Sequence, residues 1–342
     1  MICETLLLLL VSRLNHTETI CSCHLNLTSH ETKEDEMPRV SRLVVPDEKA
    51  IYHVISRTAL DGLPFKKIEK DELVRIIQKF SAVYHVDVLG YAVMGNHFHL
   101  LVQVYPDVLL TDAEVRRRFH LLYGDVLPFP ESRMAELRRR FCSLSEYVKE
   151  IKQTFSRFYN KRKNRKGTLW GERFKSVIVQ QGRTVIHCLA YIDLNAVRAG
   201  IVKRPEDYRW CSMGYHAQTG NKDGFLCLDA AYFEPGMQTP EDQMKTYRAY
   251  LYNAGAIERK GKASIAREIL DEASENNFQI NSFRRLKYRT RYFSDSGIIG
   301  SREFVSVTYS RFKDRFRSKH PKKPQPVKGI EGMYSLKRLA ET

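Results

Sequence analysis

The chain has 342 residues, 43% hydrophobic and 28% charged, which fits two modules or one decorated domain with an ordinary core. Its formal net charge of +16 points to a polyanionic partner, because Lys and Arg that neutralise phosphates release condensed counterions. No apolar run reaches the ~18 residues of a membrane span, and the seven cysteines form no CxxC pair, so membrane spans, zinc ribbons and dithiol redox motifs are excluded.

Residues 1–36 are irregular, rich in Thr, His and Asn, and end in Lys33-Glu34-Asp35-Glu36. They are expected to be an unstructured or mis-assigned leader, with Met37 as the functional start. Leu6 to Val11 is a candidate signal core, but Glu4 precedes it where a basic residue is needed and no clean cleavage site follows. A cytosolic location is expected. Cys3, Cys21 and Cys23 lie in this segment, and the remaining cysteines are expected to be buried thiols.

Ile51 to Thr58 alternates like a strand, and Leu73, Ile76, Ile77 and Phe80 recur at helical spacing. Val86 to Val93 is again β-rich, Gly95-Asn96 marks a turn, and His97 to Val104 reads as the next strand. Residues 105–142 are polar, Pro-punctuated and basic, an insertion expected to be partly helical. Ser143 and Glu146 make a capping-box pattern before a stripe from Leu144 through Ile151 and Phe155 to Tyr159, opposed by Lys149, Lys152, Arg157, Lys161 and Arg162. Arg173 to Val179 reads as a strand, and Thr184 is expected to cap a helix running to Gly200.

This order predicts an α+β fold: a ferredoxin-like βαββαβ antiparallel sheet with helices on one face, plus an extra last helix. Three domains are expected: the leader 1–36, a catalytic domain 38–218, and a C-terminal helical region 219–342. That last region holds helices near Pro240 to Tyr252 and Ala263 to Ala273, and a basic tail from Arg284 to Lys328 that is either a flexible grip on DNA or a solubilising end.

Residues two apart in a strand share a face, so His97 and His99 project together while Phe98, Leu100, Val102 and Val104 fill the other side. Two neighbouring imidazoles can hold a divalent metal, although packing or surface placement is the commoner explanation of an isolated H-x-H. Tyr191 and Asn195 lie one helical turn apart. A phenol can attack phosphate and a carboxamide oxygen can ligate a hard cation; taken alone, both residues also fit structural roles. His187, one turn before Tyr191, is expected to pack, with assistance to proton transfer as the alternative. Arg57, Arg173 and Lys175 are candidate phosphate contacts for DNA binding, with a solvated surface role as the alternative, and Trp170 is expected in the core, with base stacking as the alternative.

The strings YHVISRT at 52–58, GNHFHLLV at 95–102, TLWGERFKSVIV at 168–179, YIDLNAVRAGIV at 191–202 and PEDYRWCS at 205–212 resemble successive blocks of the single-tyrosine HUH transposases, in particular the REP-associated tyrosine transposases of bacterial genomes. The resemblance runs from about residue 38 to residue 218. It implies the HUH endonuclease fold, with Tyr191 as nucleophile and His97, His99 and Asn195 as ligands of Mg²⁺ or Mn²⁺. It also implies single-stranded, hairpin-forming DNA as partner, a nucleoid-associated location in the bacterial cytoplasm, and a monomer or homodimer. No membrane partner and no small-molecule substrate is expected. The chain departs from the family in reading Asn195-Ala196 where members usually read Asn-Pro, which lets the helix continue and keeps the ligand side chain.

The chemistry implied is in-line attack by Tyr191, giving a 5′-phosphotyrosine and a free 3′-hydroxyl. A tyrosine phenol, with a pKa near ~10, is a poor nucleophile until charge on the phosphate is neutralised. Two other readings remain: a domesticated nucleic-acid-binding protein without cleavage, and a metal-dependent phosphohydrolase. The hydrolase would need more carboxylate ligands than these two elements carry.

Overall fold

The computed structural model describes residues 43–227, 239–279, 298–311, 313–315, 321–327 and 332–336. The expectations for residues 1–36, Met37 and the three early cysteines lie outside the described residues, as does part of the basic tail.

Four strands form one antiparallel sheet: β1 (Ala50–Arg57), β2 (Val86–Val93), β3 (His97–Val104) and β4 (Lys175–Val179). Their spatial order is β2-β3-β1-β4, with every neighbouring pair antiparallel. The architecture is therefore mixed α and β around a four-stranded antiparallel sheet. Strand alternation sorts the side chains as the pattern requires: Tyr52, Val54, Phe98, Leu100 and Val102 enter one buried cluster, while Ile51 and Leu101 enter another.

The first face is covered by α1 (Lys67–Val83) and α4 (Leu144–Arg162), whose apolar stripes meet it with Leu73, Ile76, Ile77, Phe80, Tyr147, Val148, Ile151 and Phe155. Ser143 Oγ accepts from the Glu146 amide at the start of α4, as the capping pattern predicts, whereas the Glu146 carboxylate turns to Lys149. At the other end of α4, Arg162 and Lys163 reach the buried Glu69 of α1 at 3.2 and 2.9 Å. The insertion 105–142 folds as α2 (Asp112–Tyr123) and α3 (Met134–Phe141), which contribute Val115, Phe119, Leu137 and Phe141 to the same core.

Helices cover both faces of the sheet, where the sequence predicts one. The second face presents Ile51, Leu89, Ala92, Leu101 and Val179, an apolar surface too large to leave in water, and α5 (Arg183–Asp193) lies across it. Gly90, at a register shift in β2, permits that approach: a Cβ there would lie 2.1 Å from Leu189 Cδ1. α5 starts at Arg183 behind the N-cap Gly182, with no side-chain capping bond; Gly182, at φ 82°, sets the entry where the Thr184 hydroxyl is expected to. The strand before it is also shorter than the sequence suggests, leaving Arg173 outside β4.

The expected single helix to Gly200 is two, α5 and the short α6 (Asn195–Arg198), joined at Leu194 in a right-handed helical conformation. Gly200, at φ 67°, ends them. After α7 (Ser212–Thr219), α8 (Pro240–Ala256) and α9 (Arg267–Glu275) add Tyr247, Leu251, Tyr252 and Ala273 to the α5 cluster. The tail carries ordered structure as well: α10 (Arg302–Arg311) packs Val305 and Tyr309 with Ile298 and Leu336, next to three two-residue strands, β5 (Ile299–Gly300), β6 (Gln325–Pro326) and β7 (Tyr334–Ser335). Of the described cysteines Cys211 is buried, whereas Cys142, Cys188 and Cys227 are only half-buried. No described helix is long and apolar enough to cross a membrane.

Candidate active site

The second face of the sheet carries a cluster of rings where α5 crosses it. In β3, His97 and His99 point to this face, 5.1 Å apart between ring centres. The neighbouring strand β1 adds His53, stacked on His99 at 5.2 Å with its Nε2 atom 3.0 Å from His99 Nδ1. From α5, the Tyr191 ring stands edge-on to both, 5.7 Å from His99 and 5.9 Å from His53. Tyr191 is half exposed, at 50%, so its phenol is reachable from solvent while the histidines beneath it are largely covered.

Burial disfavours the imidazolium form. It pulls His53 down to about 4, and with the Arg57 charge it brings His97 to about 4. His99 falls to about 3 through burial, then the influence of His53, His97 and Arg57. All three are neutral at pH 7, the form in which imidazole is a ligand.

A hydrogen bond fixes the tautomer of His97. Asn96 gives its amide N–H to the Gly62 carbonyl at 3.1 Å, which turns its oxygen toward His97 Nδ1 at 2.7 Å. An oxygen can only accept, so His97 carries its proton on Nδ1 and a lone pair on Nε2. His99 Nδ1 and His53 Nε2 share one proton at 3.0 Å; with His99 as the donor its Nε2 lone pair is free, the arrangement by which outer partners orient metal-ligating histidines. Asn195 donates its amide N–H to the carbonyls of Tyr191 and Ile192, at 2.9 and 3.3 Å, and keeps its oxygen for another partner. The donor chemistry of His97, His99 and Asn195 thus fits a divalent cation. Among the described residues, no group of three His, Cys, Asp or Glu side chains is arranged to hold a metal, so this donor set depends on the amide and on oxygens from water or substrate.

The structure therefore brings His97, His99 and Tyr191 into one cluster, with Asn195 one turn beyond Tyr191. Arg57 pairs with His97 across the β1–β3 ladder and Lys175 pairs with Ile55, which also pairs with His99; both charges flank the histidine face. Arg173 does not join them. It lines a different cleft, against α4 on the other side of the sheet. His187 bonds through Nδ1 to the Tyr250 hydroxyl of α8, a packing role. Trp170 is buried among Phe65, Phe98 and Phe155, its indole N–H donated to the Lys152 carbonyl, which leaves no face for a base.

No protein-family model and no curated protein matches the chain. One solved structure similar to it is described as "Structure of the REP associates tyrosine transposase bound to a REP hairpin". It shares 15% identity, with a TM-score of 0.37, and the match covers 59% of this chain and 99% of that one. Likeness at that level carries no argument about this site, and the functional reading rests on the side chains themselves.

Two features escape sequence reasoning. His53 is a polar residue on the parity of Ile51 and Ile55, inside a strand whose other parity is core; that is a visible signal, but its contact with His99, diagonally across the β1–β3 ladder, comes only from strand register. The second is the anchoring of the tyrosine helix. Asp193, two residues after Tyr191, is fully buried and accepts from the Met213 amide at 3.0 Å and the Tyr247 hydroxyl at 2.7 Å. Burial raises its carboxyl to about 6, against the hydrogen bonds that favour the ionised form. Arg198 donates to the carbonyls of Ala254, Ile257 and Ala263, and Arg248 of α8 pairs with the buried Glu206 at 2.6 Å.

Proposed function

We propose that this chain is a single-tyrosine transposase of the HUH type that cuts single-stranded DNA and holds the cut end as a 5′-phosphotyrosine on Tyr191. The observation that carries the reading is the half-exposed Tyr191 ring standing 5.7 Å from His99, with His97 beside it. A tyrosine kept only for packing is more often covered. In the strand order β2-β3-β1-β4 we read the ferredoxin-like core expected of the HUH fold.

In this reading the Tyr191 oxygen bonds to the scissile phosphorus as the bond to the 3′ oxygen breaks. The phenol loses its proton, and the departing oxygen takes one up to become a 3′-hydroxyl. The phosphodiester energy is retained in the phosphotyrosine, so a 3′-hydroxyl on the same or another strand reverses the step without ATP. His97 and His99, neutral and oriented by Asn96 and His53, would hold Mg²⁺ or Mn²⁺ through their Nε2 atoms, with the Asn195 oxygen as third ligand. When bound, the cation supplies Lewis-acid charge at a phosphate oxygen. Arg57 and Lys175 would place the strand through its phosphates.

The test is incubation of the protein with hairpin-bearing single-stranded DNA and Mn²⁺, followed by denaturing electrophoresis. A protein–DNA adduct that survives denaturation is expected, and it should be absent for Tyr191→Phe. Cleavage with a free 5′-phosphate and no adduct would instead indicate a hydrolase. Binding without cleavage would indicate a nucleic-acid-binding protein.

A further inference from the structure

Two unlike kinds of contact hold the helix that carries Tyr191. Against the sheet, Val185, Leu189 and Ile192 of α5 are buried in an apolar cluster with Ile51, Leu89 and Leu101. Apolar burial is non-directional, so it tolerates a small rotation of the helix more readily than hydrogen bonds do. Directional bonds come from α8. Tyr250 bonds to His187, one turn before Tyr191, and Tyr247 donates to Asp193, two residues after it, at 2.7 Å. Arg198, two turns beyond Tyr191 on the same helical side, donates to the carbonyls of Ala254 and Ile257 at 2.8 Å each.

We propose that α8 sets the position of the nucleophile, with Tyr247 and Tyr250 as positioning residues that act on Tyr191 through α5. The inference rests on the reading of Tyr191 as the nucleophile. Its ring is half exposed and meets His53 and His99 edge-on, so its oxygen takes its place from the helix beneath. That oxygen lies roughly 8 Å from the helix axis, and a turn of about 10° moves it by about 1.4 Å. In-line attack is sensitive to such a shift, since a misplacement of ~1 Å costs on the order of 100-fold. The two tyrosine hydroxyls grip α5 on either side of Tyr191 and belong to one element, so α5 cannot turn without stretching at least one bond. The Tyr247–Asp193 bond is also buried at both ends, where water does not compete for either group. α8 lies outside the span 38–218 that carries the sequence resemblance, so the grip is a feature of this chain's own C-terminal region.

The test is the double change Tyr247→Phe and Tyr250→Phe, which removes two hydroxyl oxygens and keeps both rings. Ile151→Ala, on the α4 face, controls for lost stability alone. Adduct formation is followed over a single turnover with saturating hairpin-bearing single-stranded DNA and Mn²⁺, below the melting temperature of every variant. DNA affinity is measured separately. The rate constant should fall on the order of 10–100-fold while affinity stays within about twofold, and Ile151→Ala should alter neither. Tyr250→Phe alone removes only the exposed bond and should give a smaller loss of the same kind, should the double variant fail to fold. Independently of cleavage, meta-fluorotyrosine placed at position 191 should give a fluorine resonance that shifts or broadens in the tyrosine variants and not in the control. An unchanged rate in an active protein, an unmoved resonance, or the same loss in Ile151→Ala overturns the proposal. If the resonance responds but the unaltered protein never forms an adduct, the grip on Tyr191 stands and the transposase reading falls.

Discussion

The two faces of the sheet do different work with the same strands. On the α1/α4 face, Tyr52, Val54, Phe98, Leu100 and Val102 point into a continuous apolar cluster. On the α5 face, the alternate residues of the same strands include His53, His97 and His99 beside Ile51 and Leu101. Strand alternation thus keeps a stabilising surface and a reactive one a single residue apart without mixing them. Three imidazoles can be stripped of water because the opposite face carries the burden of holding the strands in register. The second face is then completed from outside the sheet, by α5 and by the α8 residues that bond to its end.

Substitutions that act on one face and spare the other test this division. The largest functional effect is expected from Tyr191→Phe, which should abolish the covalent DNA adduct altogether. Thermal stability should stay within about 0.5 kcal/mol of wild type, since the hydroxyl sits on an exposed ring. Phe98→Ala, on the opposite side of β3 between the two histidines, should cost about 3–5 kcal/mol in a denaturant titration through the cavity it leaves. A loss below about 1 kcal/mol would mean that the first face is not the stabilising one.

His53→Phe keeps a ring in place and removes the partner of His99 Nδ1. Mn²⁺ affinity, read by electron paramagnetic resonance, should fall about 10–100-fold, with little change in stability. An unchanged affinity would reduce His53 to a packing residue. The smallest expected effect concerns the anchor of the tyrosine helix. The Asp193 carboxyl titrates near 6 when folded, against an ordinary value of 3.8. Its contribution to stability is therefore greatest below pH 3.8 and is lost as pH rises through 6. Asp193→Asn should flatten the stability–pH profile in that window, and an unaltered slope there would show that this carboxyl is not the titrating group.

Much of the site is legible before any coordinates. His97 and His99 are paired by the two-residue period of a strand, and Tyr191 and Asn195 by the four-residue period of a helix; both periods are local properties of the chain. Arg57 and Lys175 are picked out by their place beside the motif strings, and strand register sets them at the histidine face. Arg173 is grouped with Lys175 by proximity in sequence, and the structure separates them because β4 begins between them. The sequence reading sets residues 219–342 apart as a C-terminal helical region, yet Tyr247, Leu251 and Tyr252 share the core of α5. Aromatic residues scattered at helical spacing state that a helix has a buried side without stating what covers it.

The sequence alone determined which residues alternate, which recur every turn, and hence which side chains could act as pairs. Only the tertiary structure decided which pairs meet: His53 with His99, Tyr191 above both, Asp193 with Tyr247, and Arg173 with α4. Local periodicity follows from backbone geometry that every short segment carries within itself. Contacts between distant segments depend on strand register and on the close approach of α5 at Gly90, and no segment encodes either by itself.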